Sequence, residues 1–461
     1  MGRSHPGSAA WARSRALVAN VVPRGALLLS VLTFASYVMG LVRDRVFART
    51  YGAGSDLDVY NAALVLPELA LDTLVIAGLS AAFIPVYSRL RRDDGARTDD
   101  FARTVLTVSV LVMVVVVAVL FVFAGEAMSV VAPGFAEEQR ELYVQLFRVM
   151  CVTAIIFAAS FALGEMLVVR QRFLFYGLAP ILYNAGIVFG AVFLSPSLGI
   201  LGAAVGTVVG ALMHLGVRVL DIRRTEFRYR PALTLRSSGF REYVRLAIPR
   251  ALSAPIEPLT FLYFTSVAST LAAGSISAVS FARNFQSVPV SIIGVAFAVA
   301  AFPLMAAAAS AGDRARFRRL VTTNFATIGI LTVGAAIALA LVGGLAIEVF
   351  LGGEAFDSED VATTTLLLGA FALSVPLEAL NQLLARAVYS THDTILPVLA
   401  SIAGLVVTVA SVSVLADVEG IVALPLGFAI GQGTRLVLLI GALALRLPTI
   451  GRDQPPGSTG T

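Results

Sequence analysis

Residues 36–60 read SYVMGLVRDRVFARTYGAGSDLDVY: an apolar helical pattern runs into Arg43-Asp44-Arg45, then Arg49, then a Gly-Ala-Gly turn followed by Asp56 and Asp58. Arginine never deprotonates, and its planar fork of donors matches a phosphate two bonds at a time. Other ionisable or amide groups also fall inside apolar stretches: Glu68 and Asp72, Glu165, Arg250 and Glu257, Arg283 and Asn284, and Glu378 with Asn381, Gln382 and Arg386. Such groups are costly in an apolar medium and mark binding pathways. Arg43 and Arg283 together could clamp a diphosphate. Glu68, Asp72, Glu257 and Glu378 could neutralise arginines in an empty site or carry a coupling proton, and for each acid singly a plain pair with a nearby arginine is the simpler reading. The simpler reading of Arg43 and Arg45 is snorkelling to headgroups with Asp44 as partner. No catalytic constellation is visible. His5, His214 and His392 are scattered, so no metal site is expected; His214 and His392 read as surface or headgroup residues near helix ends.

The elements that must position these groups are membrane spans. Of 461 residues, 58% are hydrophobic and 14% charged, with a mean hydropathy of +0.87. A soluble chain would carry roughly a quarter charged residues. Every positive side chain is arginine, so a P-loop, which needs its lysine, is excluded and no ATP is expected. The net charge of +5 lies in short loops between apolar segments, which argues against a nucleic-acid partner. Cys151 lies in an apolar segment and reads as a packing residue with no cofactor role.

About twelve segments are long and apolar enough to span a bilayer: 25–47, 59–88, 103–124, 143–169, 174–195, 198–220, 244–271, 276–308, 321–343, 362–389, 394–415 and 420–446. The proline pairs Pro67/Pro85 and Pro289/Pro303 are expected to interrupt the second and eighth. One set of loops is arginine-rich, including Arg89, Arg91 and Arg92, Arg170 and Arg172, 223–241, and 314–319. The alternate set is acidic or neutral, including Glu137, Glu138 and Glu141, then 348–360. The positive-inside rule then puts both termini in the cytoplasm. Arg43, Arg45 and Arg49 break the pattern, because they approach a loop that should be extracytoplasmic.

The chain also resembles itself. At shifts of 217 to 221 residues, Pro180 falls on Pro397, Gly199-Ile200 on Gly420-Ile421, and Gly206 and Gly210 on Gly427 and Gly431. The expected architecture is an all-α integral membrane protein: a cytoplasmic tail at 1–24, an N-lobe at 25–220, an arginine-rich cytoplasmic linker at 221–243, a C-lobe at 244–446 and a cytoplasmic tail at 447–461. An even number of spans per lobe makes a parallel repeat around a central cavity, a transporter architecture in which lobes rock about the cargo.

The blocks GLVRDRVFARTYGAGSDLDVYNAALVLPEL at 40–69, AFIPVYSRL at 82–90, VVAPGF at 130–135, RFLFYGLAPILYN at 172–184 and VPVSIIGVAFAVAAFPLMA at 288–306 resemble the MurJ/MviN family of lipid II flippases, within the multidrug/oligosaccharidyl-lipid/polysaccharide exporter superfamily. The resemblance implies movement of an undecaprenyl-diphosphate-linked peptidoglycan precursor from the inner to the outer leaflet of the bacterial cytoplasmic membrane. It also implies the lipid bilayer and cell-wall synthesis machinery as partners. The family's cavity arginine and the acid after it fall on Arg43 and Asp44; its next arginine falls on Arg49, and the acid after Gly-Ala-Gly on Asp58. Departures are also clear. Tyr37 follows Ser36 where many relatives have arginine, Leu71 and Asp72 stand where many have an arginine pair, and Ala282-Arg283-Asn284 replaces Ala-Asp-Arg. The two further C-terminal helices of many relatives are not expected from these residues. The cavity is thus less cationic than in those relatives. The rival readings are another polyprenyl-diphosphate glycan, which Arg43 and Arg283 would suit, or a small cation as in cation-coupled multidrug antiporters of the same fold, which Glu68, Asp72, Glu257 and Glu378 would suit. A membrane enzyme would need a catalytic group on a large outer loop, and the outer loops are short; a non-transporting envelope scaffold is the remaining alternative.

Overall fold

The computed structural model describes residues 24–93, 95–253 and 255–450. The expected terminal tails lie outside the described residues except for Arg24 and 447–450. Among the described residues every regular element is helical. In chain order these are α1 (Arg24–Tyr51), α2 (Ser55–Leu71), α3 (Ile84–Asp93), α4 (Gly95–Val122), α5 (Ala124–Val131), α6 (Glu137–Val169), α7 (Phe173–Phe189), α8 (Ser195–Leu198) and α9 (Ile200–Ile222). They continue as α10 (Ser238–Ser253), α11 (Ile256–Ala268), α12 (Ser275–Pro289), α13 (Ala296–Ser310), α14 (Arg314–Phe350), α15 (Ser358–Ala372), α16 (Ser374–Tyr389), α17 (Ile395–Glu419) and α18 (Ala423–Arg446).

Nine described segments are long and apolar enough to cross a membrane, or ten with the α15–α16 pair, which is bent by 42°. The difference from about twelve has physical causes. The segment Ile395–Thr449 counts once but holds two packed helices, α17 and α18. The stretch expected at 244–271 is broken into α10 and α11, each too short to pass alone. Large apolar side chains face outward along the long helices, with Leu341 79% and Val418 80% exposed. Helices satisfy their own backbone groups, so this surface suits lipid rather than water. The expected proline interruptions appear in part, since Pro303 lies inside α13, which runs on through it. Pro67 lies inside α2, which passes into a π-helical turn at Asp72–Ile76, and Pro289 closes α12 just before another π turn at Val290–Val295. Proline removes a backbone donor, and the ladder re-registers around it.

The chain packs as two compact units. The first takes the chain up to Val46, then Leu66–Ala124 and Val144–Ala254; the second takes Phe47–Val65, Gly125–Tyr143 and the chain from Pro255 on. Each unit holds one copy of the same helix pair. In the first, α7 and α9 meet through glycines: a Cβ at Gly186 would lie 2.3 Å from Gly210 Cα, and one at Gly206 would lie 2.6 Å from Gly190 Cα. In the second, α17 and α18 meet in the same way. A Cβ at Gly431 would lie 2.6 Å from the Gly404 carbonyl, and one at Gly427 would lie 2.4 Å from a Val412 methyl. Small residues let backbones approach where dispersion and not the hydrophobic effect joins helices.

The repeat extends to the turns. Gln171 and His392 both have positive φ, 56° and 63°, just before α7 and α17. Gly199 and Gly420, at 57° and 52°, precede α9 and the short turn leading into α18. Each pair is also closed by an ion pair, with the signs exchanged. Arg172 before α7 binds Asp221 near the end of α9, whereas Asp393 before α17 binds Arg446 at the end of α18. Asp393 Oδ1 also accepts from the N–H groups of Ile395 (2.9 Å) and Leu396 (3.0 Å), capping α17.

Two predictions follow from this packing. Gly206→Ala is expected to destabilise by about 1–3 kcal/mol through overpacking, whereas Gly216→Ala, with no atom within 4 Å of its added Cβ, leaves the thermal midpoint in detergent unchanged or raised. The second concerns Asp393. Burial opposes its charge, but the N–H groups of Leu396 and Ile395 and the Arg446 guanidinium outweigh burial and hold its carboxyl below the ordinary value. The pairing therefore contributes its full stability above a pH of about 4 and loses it as pH falls through the depressed pKa. Thermal melts from about pH 6 down to pH 3 are expected to show a smaller loss on acidification in Asp393→Asn than in the parent chain.

Candidate functional site

In the first unit, Arg43 and Asp44 form a pair on α1. Arg43 donates from Nε (3.0 Å) and Nη2 (2.8 Å) to one carboxylate oxygen of Asp44. The Asp44 side chain is 6% exposed and that of Arg43 28%. Neighbours on a helix point about 100° apart, so the arginine must fold back around α1 to reach this acid. Arg45, two positions on, is half-buried.

Beside this helix the first unit has an open pocket of about 530 Å³, with Tyr37, Glu68, Asp72, Tyr176, His214 and Arg218 among its lining residues. Glu68 and Asp72 lie four residues apart on one helix face and are solvent-accessible at its wall. The charge of Arg43 acts on Glu68, so the α1 pair and the cavity carboxylates share one electrostatic environment. Of the two positions where the resemblance placed an arginine pair, Asp72 exposes a carboxylate here and Leu71 is buried.

Arg218 is a residue that the sequence analysis missed. It is 2% exposed, donates from Nη1 to the Ser160 carbonyl at 2.8 Å, and lies over the rings of Phe161 and Tyr176 at 5.4 and 5.0 Å. The charge of Glu165 acts on it. Gly164 makes the space: a Cβ there would lie 2.6 Å from Arg218 Nη1. The available signal was weak: Arg218 falls inside the expected span 198–220, but at its cytoplasmic end beside the arginine-rich linker, where the positive-inside rule already accounts for an arginine. His214, one turn earlier on α9, corrects a second expectation. It is not a surface residue: it is 2% exposed, its Nδ1 lies 2.8 Å from Ser160 Oγ, and Phe157 packs edge-on against its ring. Its Nδ1 faces the serine, and its ring packs among the aromatic side chains of Phe157 and Phe161.

The second unit holds the other expected residues. Arg49 is exposed near the end of α1, with its stem beside Gly353. Asp58 is buried on α2 and fully engaged as a cap on α12. Oδ2 accepts from the Gly274 N–H at 2.7 Å, while Oδ1 accepts from the Ser277 N–H at 2.7 Å and its hydroxyl at 2.6 Å. Gly274 is required there: its φ is 89°, and a Cβ would lie 1.8 Å from the Ala53 carbonyl. The geometry of Asp58 is that of an acid at a helix N-terminus.

Arg283 on α12 centres a dense polar cluster. Nη1 and Nη2 each donate to one oxygen of Glu378 at 3.0 Å, forming a bidentate pair. Gln286 also accepts from Nη1, and Glu257 Oε1 lies 3.6 Å from Nη2. The rings of Phe261 and Phe428 lie 5.2 Å from the guanidinium carbon. Asn284 is half-buried on the next position of α12. Asn381 and Arg386 face other partners: Asn381 donates to Gln432, and Arg386 to Gln382. The structure thus brings Arg283, Glu257 and Glu378 together, and leaves Arg49, Asp58 and Asn381 in separate contacts.

The architecture is that of multi-span helical transporters. A solved inward-facing multidrug transporter of the MATE family matches 93% of this chain and 100% of its own, with a TM-score of 0.76 and 15% identity. A solved structure titled as the lipid II flippase MurJ in an inward closed conformation matches 92% of this chain and 90% of its own, with a TM-score of 0.80 and 21% identity. Residues 47–453 match the model of the family described as lipid II flippase MurJ, and the chain belongs to that family of bacterial membrane proteins. The matched span opens four residues after Arg43. A Burkholderia cenocepacia protein named lipid II flippase MurJ is 24% identical over 444 residues, 94% of this chain and 85% of its own length. A Thermotoga maritima protein named a probable lipid II flippase MurJ is 28% identical over 379 residues, 82% of this chain and 76% of its own length.

Asp58 makes charge-assisted bonds to backbone donors, and its loss leaves those donors buried. Asp58→Ala is expected to cost about 3 kcal/mol. Its thermal midpoint in detergent should fall well below that of Arg49→Ala, a change at an exposed side chain.

Proposed function

We propose that the chain carries lipid II, an undecaprenyl-diphosphate-linked peptidoglycan precursor, from the inner to the outer leaflet of the bacterial cytoplasmic membrane by alternating access. The observation that carries this reading is an arginine held on an apolar span by its own neighbouring carboxylate, Arg43 with Asp44, on a chain of the lipid II flippase family. A guanidinium kept charged inside an apolar segment has its use in meeting an anion there. Arg43 is one group suited to meet the diphosphate, and Arg283, with Asn284 beside it, is another. Arg49 acts at the exposed end of α1. Glu68 and Asp72, with Glu257 and Glu378, balance these charges when cargo is absent.

The repeat lobes at 25–220 and 244–446 are the moving parts of this reading, joined by the linker at 221–243. Arginine-rich loops set both termini in the cytoplasm. The work is non-covalent, with no enzymatic step, no cofactor and no ATP. The cargo passes on to the cell-wall synthesis machinery.

The test is complementation. A bacterium depleted of its essential flippase and supplied with this gene should recover growth and outer-leaflet lipid II. Failure despite good membrane expression overturns the cargo assignment. Arg43→Ala should lower transport by about tenfold or more, the worth of a lost charge-assisted bond, while membrane insertion stays normal. Full rescue by Arg43→Ala would reduce Arg43 to an interfacial anchor.

A further inference from the structure

The fork of Arg283 is already filled. Both of its terminal nitrogens donate to Glu378 at 3.0 Å, one to each oxygen. The two rings cover the guanidinium, and its side chain is only 13% exposed. A guanidinium fork takes one oxyanion edge at a time. A diphosphate reaching Arg283 through that edge must therefore replace a carboxylate that already sits there.

Replacement needs somewhere for Glu378 to go, because a carboxylate stripped of its cation in an apolar interior is costly. The same unit supplies a second cation. Arg435 on α18 feels the charges of both Glu378 and Glu257, and its Nε is buried with no hydrogen-bond partner. The cluster thus holds two arginines, Arg283 and Arg435, against two acids, Glu378 and Glu257.

Glu378 also belongs to a tie that joins α12 to the start of α16, beside the bend. Gln286 Nε2 donates to Glu378 at 3.2 Å and to the Ser374 hydroxyl at 3.1 Å. Ser374 opens α16, immediately after the 42° bend that separates it from α15.

We propose that Glu378 is a resident substitute for the cargo's diphosphate: it occupies the Arg283 fork in the empty chain, and the diphosphate displaces it toward Arg435. Occupation by cargo then loosens the Gln286–Ser374 tie at the bend, so binding at Arg283 is coupled to the α15–α16 span. The exchange also selects cargo, since an anion must outcompete a bidentate carboxylate. This rests on the reading that Arg283 meets the diphosphate.

The test measures binding of undecaprenyl diphosphate to the full chain in detergent micelles. Glu378→Gln should bind about tenfold more tightly than the parent, because the competitor is gone. Arg283→Ala should bind about tenfold more weakly. The double variant should match Arg283→Ala, since no fork remains to be vacated. If Arg283→Ala weakens binding and Glu378→Gln does not tighten it, the resident-anion proposal falls while the diphosphate reading stands. If Arg283→Ala leaves affinity unchanged, both fall. A readout on the unmodified chain guards against misfolded variants: saturating undecaprenyl diphosphate should speed amide hydrogen exchange in the first turns of α16, and unchanged or slower exchange there overturns the coupling.

Discussion

A charge in an apolar interior must be met by an opposite charge or a dipole, and this constraint organises the polar groups of the chain. Arg218 is met by the Ser160 carbonyl, two aromatic faces and the charge of Glu165. Asp58 is met by the start of α12. Arg283 is met by Glu378, Gln286 and Glu257. The cost of an unmet partner is several kcal/mol, larger than most single contacts in a folded protein. Gly164 provides the space that Arg218 needs, since a Cβ there would lie 2.6 Å from Nη1.

The repeat shows which features of a helix pair are physically required. Gly206 and Gly210 have their counterparts in Gly427 and Gly431 because backbone contact leaves no room for a side chain. Gly199 and Gly420 match because both have positive φ. The closing ion pair kept its place and exchanged its signs: Arg172 with Asp221 in one copy, Asp393 with Arg446 in the other. An ion pair at this position needs opposite charges in reach, and either helix end can supply either sign. Steric identity is therefore visible at a fixed shift in the sequence, whereas this electrostatic equivalence is not.

The same distinction explains what was legible before the structure. Spans, the prolines Pro67 and Pro289 and the glycine repeat are patterns along the chain, and each has its counterpart among the described helices. Arg43, Glu68, Asp72, Arg283 and Glu378 could be singled out because charge is rare in apolar segments. Their partners were legible only where they were neighbours, as with Asp44. Glu378 reaches Arg283 from 95 positions away, and no spacing announces that. Arg218 was overlooked because an arginine at the cytoplasmic end of a span, next to the arginine-rich linker, satisfies the topology rule without any further role. His214 was read as a headgroup residue for the same reason, because nearness to a helix end says nothing about which face turns inward.

The two candidate arginines differ in the kind of partner they have, and that difference bears on mechanism. Arg43 and its acid are adjacent on one helix, so their pairing moves with α1 as a rigid body and does not depend on how other helices shift. Arg283 and Glu378 sit on different helices, α12 and α16, and their bond lasts only while those helices keep their spacing. The first pairing keeps a charged group ready wherever the helix goes. The second is conditional on geometry, and a ligand that competes for the Arg283 fork necessarily acts on that geometry. Linkage requires the converse as well: any motion that parts α12 from α16 raises the affinity of Arg283 for an external anion by the free energy of the bond it breaks. A carrier needs such a site, one whose grip on its cargo changes with conformation, because a site with equal affinity in every state binds cargo without moving it.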